Sequence, residues 1–143
     1  MQPVYLVGVD GSPCAERALE YALARAQSNQ GRILAVFVIE WSPFSFSTAE
    51  ENERRHARRE QEMARAQEQV IAPVLARLEA AGVDAEGLVR HGNVAQTLDR
   101  LARKHDVTCL VIGRRGSTRL SQLFGSVASH VVQLVDRPVT VVP

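Results

Sequence analysis

Cysteine, aromatic residues, long apolar runs and an excess of one charge are all scarce in this 143-residue chain. Its two cysteines, Cys14 and Cys109, lack metal-ligand spacing and cannot form a disulfide framework. The apolar runs fall far short of the roughly 20 residues that span a bilayer. No basic segment followed by an apolar run and a cleavage site stands near residue 1. These absences predict a cytoplasmic protein that does not enter a membrane.

The charges of the chain nearly cancel. Lys and Arg number 17 and Asp and Glu number 16, a net charge of +1. This balance argues against a protein that covers nucleic acid or an anionic membrane, although it leaves room for a local basic patch. Residues 51–59 mix both signs and predict a solvated helix face rather than a nucleic-acid interface. The length predicts a single domain over residues 1–143.

Buried-strand patterns and helical patterns alternate along the chain. Continuous apolar, β-branched runs predict strands at residues 4–9, 33–39, 85–91, 107–112 and 139–142. Apolar residues at helical spacing predict helices that begin near residues 13, 49, 94 and 126. The alternation predicts a doubly wound, Rossmann-like α/β fold with a five-stranded parallel sheet and four helices. Right-handed crossovers leave only a few topologies, of which the strand order 3-2-1-4-5 is the one expected.

Candidate binding residues follow three of the predicted strands. In open α/β sheets the ligand lies beyond the carboxyl ends of the strands, where the strand order reverses. Asp10-Gly11-Ser12 follows the first strand, Val38-Ile39-Glu40 ends the second, and Gly113-Arg114-Arg115-Gly116-Ser117 follows the fourth. Asp10 has no second acid beside it and is therefore a poor phosphoacceptor. The alternative is that Asp10 caps the turn into the first helix.

The loop after the fourth strand carries the features that a polyphosphate needs. Gly113 and Gly116 permit close approach of the backbone, and Gly125-Ser126 opens a helix whose N–H groups attract an anion. The loop adds charged and hydroxyl side chains from Arg114, Arg115, Arg119, Ser117 and Ser126. The alternative is an ordinary surface loop with solvated arginines and turn glycines.

The order and spacing of these motifs resemble the universal stress protein family in its ATP-binding form. The resemblance rests on Asp10-Gly11-Ser12, His91-Gly92-Asn93 and Gly113-x2-Gly116-x8-Gly125-Ser126, and it covers the whole chain. It implies an adenine nucleotide, ATP or a relative, with Mg²⁺ held through the phosphates. The implied contacts are Asp10 and Val38 at the adenosine, Ile112 and Gly113 beside the nucleoside, Gly116, Gly125 and Ser126 at the phosphates, and the backbone of Val127. The predicted site also includes Gly11, Ser12, Arg114, Ser117 and Arg119, which lie in the same turns.

The resemblance also implies a homodimer through the last strand, residues 139–142, and a regulatory role in a stress response with a protein partner that the sequence does not name. One feature departs from the family pattern: eight residues separate Gly116 from Gly125, where nine are usual. The shortened loop keeps a second hypothesis open, a dimeric interaction protein of the same fold without a nucleotide site.

A fast enzyme is not expected from this sequence. It has no Walker-type Gly-x-x-x-x-Gly-Lys-Ser/Thr, no Gly-x-Gly-x-x-Gly after a strand, and no evident base to position water. The alternative is slow ATP hydrolysis through Asp10 or through Arg114, Arg115 and Arg119.

Two further residue groups keep two interpretations each. Cys14 is a redox-active thiol or a packing residue, and the aromatic group Trp41, Phe44 and Phe46 is a flap over the adenine or a cover for the sheet end.

Overall fold

A computed structural model describes residues 2–40, 48–115 and 125–143 of the chain. Several predicted residues lie outside these ranges: Trp41, Phe44, Phe46, Gly116, Ser117 and Arg119. The predictions made for them are therefore neither confirmed nor contradicted.

One parallel sheet of five strands organises the described residues, in the order β3-β2-β1-β4-β5. The strands are β1 (Val4–Gly8), β2 (Arg32–Ile39), β3 (Asp84–His91), β4 (Cys109–Gly113) and β5 (Val139–Val142). The helices are α1 (Pro13–Asn29), α2 (Ala49–Ala66), α3 (Ala72–Ala80), α4 (Val94–Lys104) and α5 (Ser126–Leu134). The predicted α/β architecture and strand order are confirmed.

Helices cover both faces of the sheet and enclose a separate apolar core on each. The core on one face joins α1, α2 and α3 to the sheet through fully buried residues such as Leu19, Ile71 and Leu78. The core on the other face joins α4 and α5 to the sheet through Leu98 and Val131. Because both faces are covered, the central strands are apolar on both sides, which is why their sequences are continuous rather than alternating.

Capping side chains define the starts of α1 and α4. The Oγ atom of Ser12 accepts a hydrogen bond from the Ala15 amide (3.2 Å), and Pro13 occupies the first turn, where no amide donor is needed. Asn93 accepts from the Gln96 amide through its Oδ1 atom (3.0 Å). Both caps stand at the carboxyl edge of the sheet, so they position the first helical turns next to the strand ends.

The second predicted helix contains an irregularity that the sequence analysis missed. A π-helical turn, Gln67–Ile71, joins α2 to α3, so the three segments form one continuous helical stretch. Pro73 follows the turn and has no amide to donate to the carbonyl four residues earlier, which disfavours regular α-helical bonding there. At this turn the Ala72 amide donates to the Gln67 carbonyl, five residues back, rather than to a carbonyl four residues back. Counted as one stretch, it gives the four predicted helices.

The structure corrects the bounds predicted for four strands: β2 and β3 each begin one residue earlier than predicted, at Arg32 and Asp84. β1 ends at Gly8 rather than at residue 9, and β4 spans Cys109–Gly113 rather than residues 107–112. Val107 lies outside β4 because its amide bonds to the Ala102 carbonyl (3.0 Å) at the end of α4. Cys109 is therefore the first residue of β4, and it is partly rather than fully buried.

Candidate functional site

Three chain segments that the sequence analysis singled out meet at the carboxyl edge of the sheet. β1 lies between β2 and β4, with Gly8 paired to Val36 and Val7 paired to Val111. Continued beyond the last pairs, this register places Asp10 level with Val38 on one side and with Arg114 on the other. The strand order reverses between β1 and β4, which is where open α/β sheets bind ligands.

Asp10 organises the turn between β1 and α1. Its Oδ1 atom accepts a hydrogen bond from the Ser12 amide (2.9 Å), and Gly11 between them has φ +78°, a conformation that favours glycine. The predicted alternative, in which Asp10 stabilises the turn into the first helix, is therefore correct as a structural role. A carboxylate can accept hydrogen bonds at both of its oxygens. The bond from Ser12 uses one oxygen of Asp10, and the second has no partner among the described residues.

Gly113 allows the start of α1 to lie directly against the end of β4. A Cβ atom added at Gly113 would lie 2.8 Å from the carbonyl carbon and 2.8 Å from the Cβ atom of Cys14. Real side chains essentially never approach this closely, so glycine is required by packing rather than by backbone conformation. Gly113 was predicted to permit close approach of the backbone. The group that approaches it here is Cys14 of the same protein.

Cys14 itself is buried, and its Sγ atom accepts a hydrogen bond from the Arg17 guanidinium (3.1 Å). The Nε atom of Arg17 donates to the carbonyl of Pro143 (2.8 Å). Cys14 therefore packs between α1 and β4, and through Arg17 it lies beside the end of the chain. This environment favours the packing interpretation of Cys14.

Two backbone hydrogen bonds of Arg114 fix the ends of the 113–125 loop, one to β5 and one between the two ends of the loop. The Arg114 amide donates to the Val142 carbonyl (2.7 Å), and the Gly125 amide donates to the Arg114 carbonyl (2.9 Å). The end of β4 and the start of α5 are thus adjacent, although ten residues separate Arg114 from Gly125. The Nε atom of Arg114 is buried and has no hydrogen-bond partner in the part of the chain that the structure describes.

The N-terminus of α5 faces this junction. Gly125 is the N-cap residue, and no side chain of residues 2–40, 48–115 and 125–143 caps the first turn. Ser126 is exposed at the first helical position, and Val127 packs with Ile112 and Val38 against the α4–α5 core. The predicted residues Val38, Ile112 and Val127 therefore share one face of the sheet, and uncapped helix amides are available to an anion.

Two kinds of feature are absent from residues 2–40, 48–115 and 125–143. These ranges contain no group of three or more His, Cys, Asp and Glu side chains that could hold a metal ion. They also contain no helix that is long and apolar enough to cross a membrane.

Comparison with known proteins agrees with this arrangement. A sequence model of the universal stress protein family matches residues 4–143. The chain belongs to the universal stress protein family. Among curated universal stress proteins, one from Mycobacterium tuberculosis strain H37Rv is 30% identical to 96% of this chain, but the match covers 47% of that protein. This universal stress protein thus spans about half the length of the curated relatives that it matches.

Solved structures of other universal stress proteins share the fold. UspA from Lactobacillus plantarum superposes with a TM-score of 0.85 at 22% identity, covering 99% of this chain and 97% of that one. A universal stress protein in complex with cAMP has a TM-score of 0.68 at 24% identity, covering 99% and 96%. One from Archaeoglobus fulgidus in complex with dAMP has a TM-score of 0.65 at 18% identity, covering 100% and 98%.

Proposed function

We propose that this protein binds ATP or a related adenine nucleotide between the carboxyl ends of β1 and β4, and acts in the cytoplasm as a nucleotide-dependent switch in a stress response. The observation that carries the proposal is the hydrogen bond from the Gly125 amide to the Arg114 carbonyl (2.9 Å). This bond brings the uncapped start of α5 to the end of β4, on a level with Asp10. The amides of α5, which can donate to phosphates, and the Asp10 carboxylate, which can accept from a nucleoside, therefore lie at the same edge of the sheet.

The chemistry of each part fits one portion of such a ligand. The amides at the start of α5 and the hydroxyl of Ser126 suit phosphate oxygens, because a helix N-terminus combines unpaired donors with a positive dipole end. The buried Nε of Arg114, which has no partner within the described residues, is a further donor. The second carboxylate oxygen of Asp10 is an acceptor for a ribose hydroxyl or a base amino group. Two structural neighbours were solved with cAMP and dAMP, which share the adenine moiety.

A regulatory role follows from the same junction. A nucleotide that bridges Asp10 and the start of α5 would favour conformations in which the end of β4 and the start of α5 stay together, and so change the surface offered to a protein partner. Mg²⁺ would be held through the phosphates of ATP. Fast hydrolysis is not part of the proposal, since the sequence lacks a P-loop lysine and an evident base to position water.

Substitution of Asp10 tests the site. We expect Asp10→Ala to weaken Mg·ATP binding in isothermal titration calorimetry by about tenfold or more, because hydrogen bonds to charged groups contribute roughly 1.5–3 kcal/mol. Asp10→Asn keeps an oxygen that can accept from the Ser12 amide but removes the negative charge. Comparison of the two variants therefore separates the effect of losing the turn from the effect of losing the charge. Asp84→Ala at the opposite edge of the sheet, where Asp84 opens β3, is the matched control and should bind like the parent.

Parallel titration with AMP separates ATP from smaller relatives. If neither nucleotide produces heat and neither shifts the melting temperature, the nucleotide proposal fails, and the interaction-protein hypothesis takes its place. Equal ATP affinity in the parent and in both Asp10 variants would place the nucleotide elsewhere.

We also propose a homodimer formed through β5, the edge strand next to β4. The carbonyls of Pro138 and Val142 accept hydrogen bonds from β4, so residues 139 and 141 direct their amides and carbonyls to the open edge. On α5, the helix before β5, Val132 and Leu134 are 49% and 40% exposed. An apolar edge strand with unpaired backbone groups readily pairs with another chain.

The substitution Val141→Pro removes an outward amide and is expected to convert dimers into monomers in size-exclusion chromatography with light scattering. Proline is tolerated at an edge position whose amide faces solvent, so the melting temperature of the monomer should change little. Thr140→Pro, whose amide faces β4, should instead destabilise the fold. A parent protein that is monomeric at high micromolar concentration, or a Val141→Pro variant that stays dimeric, would contradict this interface.

A further inference from the structure

A cavity of about 490 Å³ lies at the carboxyl ends of β2 and β3, under α2. Its floor is apolar and consists of Phe37, Ile39 and Ala66. Its wall carries four arginines from α2, namely Arg55, Arg58, Arg59 and Arg65. The volume is typical of small-molecule sites in proteins. We call this cavity the arginine pocket.

The four arginines lie along one side of α2, where Arg55 is partly buried and Arg58, Arg59 and Arg65 are exposed. Arg58 and Arg59 follow Arg55 by three and four positions, Arg65 follows Arg58 by seven and so has nearly the same helical phase as Arg58, and all four line a cavity against the sheet. Ala66, the last residue of α2, is its one buried residue, whereas the continuation of the stretch buries Ile71, Val74 and Leu78. The arginines therefore border the pocket beside the buried core and are not part of that core.

The pocket carries an excess of positive charge. Its arginines outnumber its two acids, Glu40 and Glu62, by two. Arg55 and Arg59 have interactions of their own. Among residues 2–40, 48–115 and 125–143, no hydrogen bond or ion pair engages the side chains of Arg58 and Arg65. A ligand with two negative charges would balance the pocket.

His91 closes the rim where β3 ends. Its Nε2 atom lies 3.4 Å from the carbonyl oxygen of Arg59, which holds the imidazole ring against α2. The guanidinium group presents paired donors that match the oxygens of a phosphate or carboxylate. The apolar floor of the pocket suits the apolar part of a molecule that carries such a phosphate or carboxylate group.

We propose that the arginine pocket binds a small organic dianion, an oxyanion group on an apolar body. It is separate from the proposed nucleotide site, because Phe37 and Ile39 face the α1–α3 side of the sheet and Val38 between them faces the α4–α5 side. The inference therefore holds whether or not the protein binds ATP. Residues 51–59 are exposed except for the partly buried Arg55, as predicted for a solvated helix face; the pocket lies where that face meets the ends of β2 and β3.

Titration with phenyl phosphate tests the proposal. We expect saturable binding to the full chain, with amide chemical shifts changing at Ile39, Glu40 and His91 in ¹H–¹⁵N NMR spectra. The double variant Arg58→Gln/Arg65→Gln should bind phenyl phosphate about tenfold more weakly or worse, because it removes two of the charged donors that line the pocket. Phthalate, an aromatic dicarboxylate, distinguishes a carboxylate ligand from a phosphate ligand. Inorganic phosphate should bind more weakly than phenyl phosphate if the apolar floor contributes.

A matched control removes the same charge elsewhere. Arg54 and Arg100 are exposed and do not line the pocket, so Arg54→Gln/Arg100→Gln should keep the parent affinity. No saturable binding of phenyl phosphate or phthalate would overturn the proposal, as would equal weakening by the control pair.

Titration of the same variants with Mg·ATP separates this proposal from the nucleotide site. We expect Arg58→Gln/Arg65→Gln to bind ATP like the parent and Asp10→Ala to bind phenyl phosphate like the parent. If ATP does not bind at all, loss of phenyl phosphate binding in the arginine variant still supports the pocket. If the arginine variant loses ATP while Asp10→Ala retains it, the pocket holds the nucleotide, and the separate site proposed here is wrong.

Discussion

Leu78→Ala is expected to destabilise the protein by about 2–5 kcal/mol, the range for removing a buried leucine side chain from a packed core. Leu78 is completely buried on α3, in the core that joins α1, α2 and α3 to the sheet. The truncation loses apolar burial and leaves a cavity, because the close-packed surroundings relax only in part. Equilibrium urea denaturation followed by circular dichroism measures the change in the free energy of unfolding.

Leu134→Ala makes the identical chemical change at a residue that is 40% exposed, and we expect less than half the effect there. Equal losses at both positions would show that the packing described around Leu78 does not hold in solution. Because Leu134 is also near the proposed dimer edge, both variants should be compared at a protein concentration where the parent has one oligomeric state.

Gly113→Ala is expected to destabilise the protein by about 1–3 kcal/mol, as overpacking does in a tight interior. The new Cβ atom would lie 2.8 Å from the Cys14 carbonyl carbon and 3.0 Å from the Cys14 carbonyl oxygen. These are backbone atoms of α1, which cannot rotate away as a side chain can. The start of α1 would have to shift from β4, and the turn at Asp10 would shift with it.

Gly8→Ala is the matched control, one strand away. Its Cβ atom would lie 3.5 Å from the Ile112 side chain, which is ordinary van der Waals contact. We expect a change within about 1 kcal/mol, with some stabilisation from the lower entropy of the unfolded chain. A Gly113→Ala variant that unfolds at the same urea concentration as Gly8→Ala would contradict the close approach of α1 and β4.

Much of the candidate site could be located before the structure was known, because its parts follow directly from strand ends. Asp10 and Gly113 come immediately after or at the end of apolar runs, and parallel strands end at one edge of a sheet. The resemblance to universal stress proteins supplied the ligand class, which the residues alone left open. The role of Asp10 in the turn was also among the alternatives, since Asp is a common side-chain acceptor in turns.

Local patterns in the amino-acid order were sufficient for most element types and for the caps at Ser12 and Asn93, because hydrophobic periodicity and capping act between near neighbours in the chain. The sheet order joins distant segments, and the rules for connections in α/β folds narrowed it to a few topologies. Other features depend on which segments the fold brings together. The closure of the loop between Arg114 and Gly125, and the contact of Gly113 with Cys14, join residues that are distant in sequence. The arginines of α2 that line the arginine pocket also depend on how the fold brings segments together. They have the composition of a solvated helix face, and only the packing of α2 over the ends of β2 and β3 turns that face into the wall of a cavity.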